Sequence, residues 1–250
     1  MTNKKKRLFK TLLSVLLSGI MLFSGYQLYQ IYCDYAAEKA IHDMAMKYKP
    51  EDTAPSDGEP KEEIINQSIL DFQAKYPDVV GWLTIDGTNI DYPFVWYSDN
   101  AFYLRRDLEK KYATAGTLFM ETRCNRDFSS QNTIIYGHHM KSGSMFGTLK
   151  SFNNKEFFDS NRTGTIYLAN NTLQLEIFAF VVMESDDAQI YKTRFESGDG
   201  AAYIEHLRKN ARYFRETEHS ETDRFVTLST CNYEFKNARM AVIGRIITDR

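Results

Sequence analysis

Apolar residues along this chain fall into three patterns. The first is an unbroken run, LFKTLLSVLLSGIMLFSGYQLYQIY from Leu8 to Tyr32, in which Lys10 is the only charged residue. Apart from Lys10, about 20 residues remain, roughly the length that crosses a bilayer as a helix. The second is helical spacing. It appears in AAEKAIHDMAMKY after Cys33, in IINQSILDFQAKY from Ile64 up to Pro77, between Met145 and Phe158, and in DGAAYIEHLRKNARYF from Asp199 to Phe214. Asp199 is read as the N-terminal cap of the last of these helices.

The third pattern is short β-branched and aromatic runs bounded by Asn, Gly, Ser and Asp. GWLTIDGTNIDYPFV alternates around Asp86–Gly87, a hairpin signature. GTLFME, NTIIYGHHM, GTIYLAN, LQLEIFAFVVM, RFVTLSTC and RMAVIGRIIT follow, with a tight turn expected at Asn170–Asn171. About eight short strands with few helices predict a mainly β fold, a closed or nearly closed barrel. A two-sheet sandwich fits the same pattern. Between the helical and β regions, KPEDTAPSDGEPKEE (Lys49 to Glu63) has three prolines, many acids and nothing to bury. It reads as a solvated stalk, with an ordered surface loop as the alternative. The expected organisation is a basic stub and membrane anchor over 1–32, a juxtamembrane helix and stalk over 33–63, and a catalytic β-barrel over 64–250.

Charge sharpens this reading. Five of the 31 basic residues lie in the first ten positions, which hold no acid; the rest carries 26 basic against 33 acidic side chains. A basic flank before the apolar run predicts a cytoplasmic N-terminus and an extracellular body, with Tyr26, Tyr29 and Tyr32 at the outer interface. A cleaved signal peptide shares the charge pattern, but no A-x-A site follows, and a buried core helix leaves the basic cap unexplained. An acidic body argues against nucleic acid as the partner.

The three cysteines are Cys33, Cys124 and Cys231. An odd, low count is no disulfide framework, and the spacings match no zinc pattern. At least one thiol is left unpaired within the chain, a candidate nucleophile. If VTLSTC is a strand, Thr227, Ser229 and Cys231 share its more polar face, and Cys231 ends it. If RMAVIGRII pairs with it as a hairpin, Arg239 lies beside Cys231. A fixed cation there favours a thiolate and can hold an oxyanion. A strand-end cysteine is also a common small core residue. A cysteine nucleophile needs a base, and of the five histidines only His138 and His139 follow a strong strand and precede a Gly/Ser-rich loop, KSGSMFG. Alternation lets one of the pair face Cys231 without saying which.

YGHHM with GSMFGTL behind it, TLSTC, and an arginine eight residues after the cysteine together resemble a class B sortase. The likeness covers about Ile64 to Arg250, plus the N-terminal anchor. The AAYIEHLRKNARYF helix before the cysteine strand also resembles class B.

The resemblance implies an eight-stranded β-barrel on a membrane-anchored cysteine transpeptidase of Gram-positive bacteria. Such an enzyme cuts secreted proteins at a C-terminal sorting motif after Thr. It holds them as a thioacyl enzyme and passes them to an amine of the peptidoglycan precursor. It also implies Cys231 as nucleophile, His138 as general acid/base and Arg239 as oxyanion-stabilising cation, with His139 a neighbour. Ser229, Asn100, Leu104 and Tyr191 are implied to contact substrate. The calcium site of some class A sortases has no equivalent here, so neither a metal nor a cofactor is expected. Three alternatives stand beside this reading: a class B enzyme that polymerises pilins through a lysine amine, a tethered binding module without turnover, and a cysteine protease that releases to water.

Overall fold

The computed structural model describes residues 3–51, 65–184, 187–231 and 238–247. The chain divides into two compact units, Met1–Ile41 and His42–Arg250. Helix α1 (Asn3–Ala45) is the element of the first unit; its apolar run leaves Leu12, Leu16, Met21 and Leu22 exposed. By length and composition it is the one helix among the described residues able to cross a membrane.

The second unit begins with the end of that helix. Ala45 is buried, His42 lies against Tyr92 with ring centroids 4.8 Å apart, and Tyr48 stacks on Phe72 at 4.5 Å. Lys49 Nζ pairs with Asp91 at 2.7 Å, and Pro50 is buried. The head of the acidic, proline-containing segment is therefore packed on the domain. Its continuation over 52–64 lies outside the described residues.

Helix α2 (Gln67–Lys75) buries Ile69 and Phe72 and stops before Pro77. Strands β1 (Val79–Ile85) and β2 (Asp91–Val95) then form the hairpin expected around Asp86–Gly87. Gly87 turns it with φ +71°, a conformation that costs glycine little. β3 (Leu118–Met120), β4 (Asn132–Tyr136), β5 (Thr163–Leu168) and β6 (Asn171–Glu184) follow. The β5–β6 turn is Ala169–Asn170, one residue earlier than expected, because Asn171 already pairs with Leu168 as the first rung of the ladder. The segment around 145–158 is a 3₁₀ stretch, Gly147–Asn153, and a short helix α3 (Lys155–Ser160). They are divided at Asn154, whose side chain accepts from Phe157 N at 2.8 Å and starts α3 afresh.

Helix α4 (Asp199–Asn210) has Gly198 at its cap position, in the left-handed region. Asp199 is the first helical residue, not the cap. Its carboxylate accepts from Glu196 N at 2.6 Å and pairs with Lys192 at 2.6 Å. Strands β7 (Tyr213–Phe214), β8 (Phe225–Cys231) and β9 (Ala238–Ile247) complete the fold. The β8–β9 connection, 232–237, lies outside the described residues.

The sheet runs β5-β1-β2-β3-β4-β8-β9-β6, and β6 pairs back onto β5. Eight strands thus close a barrel, and β7 adds a two-residue flap on β6. The 14-residue β6 makes closure possible: its first half pairs with β5 while Gln174 to Glu184 pair with β9, with a bulge between Ile177 and Ala179. Leu83, Phe94, Ile135, Phe180, Val226 and Val242 fill the interior. Outside, Tyr203, Ile204 and Leu207 of α4 pack with Phe178, Phe225 and Ile243. β6 is therefore buried on both faces, which explains why IFAFVVM is continuously apolar instead of alternating.

Candidate active site

The site begins with one parallel strand pair. β4 and β8 run in the same direction, with Tyr136 opposite Ser229. Gly137 N then donates to Ser229 O at 3.2 Å, and Thr230 Oγ1 to Gly137 O at 2.6 Å, so the pairing continues past the last regular rung. Carried one residue further, this register brings His138 level with Cys231. In the antiparallel β8–β9 ladder Cys231 is the partner of Arg239. Three strand ends thus meet at one rim of the barrel. Gly137 permits the crowding there: a Cβ would stand 2.4 Å from Leu118 Cδ2 and 2.8 Å from Phe146 Cδ2.

His138 is half-buried, and its Nε2 lies 2.7 Å from Leu104 O. A carbonyl oxygen only accepts, so Nε2 carries the proton and Nδ1 of the neutral ring is left as the basic nitrogen. Burial pulls the pKa of His138 below the ordinary histidine value, and the nearby Arg105 and Arg239 add to this, while the Leu104 carbonyl works the other way. His139 turns into the following loop, where it makes an isolated backbone bridge to Met145.

One groove of about 380 Å³ is lined by Asn100, Leu104, His138, Tyr191, Ser229 and Arg239, the six residues singled out with Cys231 from the sequence. Ser229 is buried, and its Oγ lies 2.8 Å from Tyr191 OH, so these two brace each other. Asn100 Oδ1 accepts from Thr122 N at 3.0 Å. Leu104 presents a 39% exposed side chain to the groove and its carbonyl to His138.

Cys124 is a free, buried thiol whose Sγ lies 3.4 Å from Asn132 O. Burial pushes its pKa up to about 11, which disqualifies it as a nucleophile. Among the described residues no group of three His, Cys, Asp or Glu side chains is gathered to hold a metal ion.

In and behind the groove walls are residues that the sequence did not single out. Glu121 at the end of β3 is buried, accepts from Arg123 Nε at 2.9 Å and from Tyr136 OH at 3.0 Å, and is bonded by the Asn100 side chain. Burial alone would raise its pKa, but these donors overcome it and hold the carboxyl at about 2. An ionised carboxylate therefore sits beneath the wall formed by Asn100, Arg123 and Tyr136. On the other wall Asp187 accepts from Gln189 N and Ile190 N and pairs with His206 at 3.0 Å. Glu121 closes the run GTLFME, and no local signal in the sequence separates a buried carboxylate from a solvated one.

A closed eight-stranded barrel with a cysteine, a histidine and an arginine at three converging strand ends holds the groups that acyl transfer through a thiol requires. The family description Sortase domain matches residues 83–247. Sortase B of Listeria monocytogenes is 34% identical over 241 residues, covering 94% of this chain and 96% of its own. The structure of sortase B from Bacillus anthracis in complex with AAEK1 superposes with a TM-score of 0.75 at 29% identity, covering 87% of this chain and all of that one. Sortase B from the type II pilus of Streptococcus pneumoniae gives a TM-score of 0.61 at 37% identity, covering 70% of this chain and 96% of that one. The chain belongs to the sortase family of transpeptidases and, within it, to class B.

Proposed function

We propose that this chain is a membrane-anchored sortase that attaches secreted proteins to the cell wall, with Cys231, His138 and Arg239 as its catalytic groups. The basic stub stays in the cytoplasm, the apolar run of α1 spans the membrane, and the barrel works outside. A sorting motif of the secreted protein lies along the groove, against Asn100, Leu104, Tyr191 and Ser229. The Cys231 thiolate adds to the carbonyl carbon of the motif's Thr, and the guanidinium of Arg239 stabilises the oxyanion. The amide C–N bond breaks as His138 gives a proton to the leaving amine, and a thioacyl enzyme remains. An amine of the peptidoglycan precursor, deprotonated by His138, attacks the thioester. The C–S bond then breaks and the thiolate returns. Arginine cannot be the base, because its pKa is too high.

The observation that carries this reading is the register. Cys231 is the ladder partner of Arg239, and the extended β4–β8 pairing brings it level with His138 at the mouth of the groove. The likeness to a sortase B from a pilus supports a second reading, in which the acceptor is a pilin lysine.

One assay tests both. The full chain in detergent is given quenched peptides carrying Leu-Pro-X-Thr-Gly or Asn-Pro-X-Thr-(Asn/Gly/Ser), with a cell-wall cross-bridge amine, with a lysine-bearing pilin peptide, or with neither. Cleavage lost in Cys231→Ala and product dependent on the cross-bridge amine are expected. Product with the lysine peptide alone favours pilus assembly, and undiminished cleavage in Cys231→Ala refutes the mechanism.

A further inference from the structure

The contact that orients His138 comes from a backbone oxygen, which has no side chain of its own to fix it. Leu104 O, 2.7 Å from His138 Nε2, lies at the end of a short 3₁₀ turn, Phe102–Arg105. What holds that turn at this depth is a neighbouring residue without a side chain. Gly116 has φ +62°, which L residues rarely adopt. A Cβ on it would lie 2.5 Å from Leu104 O, 2.6 Å from Tyr103 O and 2.9 Å from Leu104 C. All three are main-chain atoms, so no side-chain rotation relieves the clash. Space and dihedral angle independently demand glycine here.

The turn is secured from the other side. Thr117 N, next to Gly116, donates to Tyr103 O at 3.0 Å. The buried Tyr103 donates its hydroxyl to Asp78 Oδ2 at 2.6 Å, and Lys110 Nζ meets the same oxygen at 2.7 Å. Asp99 Oδ1 accepts from Ala101 N and Phe102 N at the start of the turn. Four polar contacts thus fix residues 101–103, Lys110 braces the Asp78 carboxylate that holds Tyr103, and the bare Cα of Gly116 lets the carbonyls settle against it.

We infer that Gly116 is a positioning residue for His138: its missing side chain lets the Leu104 carbonyl reach Nε2, which fixes the ring's tautomer and leaves Nδ1 as the basic nitrogen facing the reaction. This rests on the role proposed above for His138. At 2.7 Å the bond is already at the short end for N–H···O, so displacing the oxygen in any direction lengthens or bends it. The carbonyl stabilises imidazolium more than neutral imidazole, so weakening the bond lowers the pKa of His138 further.

The test uses the full chain in detergent, histidine-selective isotope labelling with His138 assigned, and steady-state peptide kinetics. Gly116→Ala is compared with Gly198→Ala, which has the same dihedral strain at φ +85° but nothing within 4 Å of the added Cβ. In Gly116→Ala the His138 titration is expected to move to lower pH. A misplaced base should cost kcat on the order of tenfold to a hundredfold, with KM within about twofold. Gly198→Ala should leave both unchanged. A His138 titration in Gly116→Ala that coincides with the parent's overturns the proposal.

If Gly116→Ala does not fold, Tyr103→Phe carries the test, since it removes one anchor and adds no atom. A smaller shift in the same direction supports the proposal, and an unmoved titration overturns it. Full turnover in His138→Ala would defeat the catalytic role of His138, whereas a shifted titration in Gly116→Ala would still uphold the positioning.

Discussion

Replacing Glu121 by Gln removes a charge and keeps the shape. The carboxylate is 4% exposed, and its donors Arg123, Tyr136 and Thr122 lie within 3.2 Å. Its pKa falls from the ordinary 4.5 to about 2 in the fold, and a depression of that size corresponds to about 3 kcal/mol of stability. The main cationic partner, Arg123, is 61% exposed and screened by solvent, which reduces the figure to about 2 kcal/mol. The sign follows from the direction: with the folded pKa below the unfolded one, the contribution is complete above the unfolded value and is lost as pH falls towards the folded one. Urea unfolding of the 42–250 unit, parent against Glu121→Gln, measures the gap. About 2 kcal/mol is expected near pH 7, and more than half of it should be gone by about pH 3, where the unfolded chain has already taken up the proton. A gap of the same size at both pH values would show that packing, not ionisation, is at work, and would refute the argument.

Two further substitutions separate local roles. Asp91→Ala should cost about 1–3 kcal/mol in thermal or urea unfolding, since it strands the indole N–H of the fully buried Trp82, which donates to Asp91 at 2.7 Å. Lys49→Ala, which removes only the part-exposed ion pair to the same carboxylate, should cost under about 1 kcal/mol, and equal losses would contradict this division. Asn132→Ala should raise the KM for peptide as well as destabilise the fold by about 2 kcal/mol, because the buried amide donates to Ile190 O and Lys192 O on either side of Tyr191. Steady-state kinetics with KM unmoved would refute the link to the groove wall.

Local structure was legible in the sequence wherever the signal was local. The Asp86–Gly87 hairpin, the strand NTIIY and the strand ending at Cys231 all come from alternation and turn residues within a few positions. The parallel pairing of β4 with β8 was not legible, because about 90 residues separate the partners and no turn sets their register. Asn100 and Leu104 came from likeness alone, and Leu104's second contact, through its carbonyl, leaves no trace in residue type. Glu121 stayed hidden for a related reason: its partners Asn100 and Tyr136 lie 21 and 15 positions away, so burial with full satisfaction exists only in three dimensions. The turn at Ala169–Asn170 differs from expectation by a single residue, as either asparagine suits a turn and only the Leu168–Asn171 rung decides between them.

Because Gly137, His138, Ser229, Cys231 and Arg239 all lie at or just past the last rungs of the β4–β8 and β8–β9 pairings, the site occupies the ends of two ladders. Terminal rungs open at lower free energy than the middle of a strand, as they are held from one side only. Inactivation by heat or denaturant should therefore run ahead of global unfolding: the enzyme falls silent while the barrel is still closed, and recovers on cooling without having to refold.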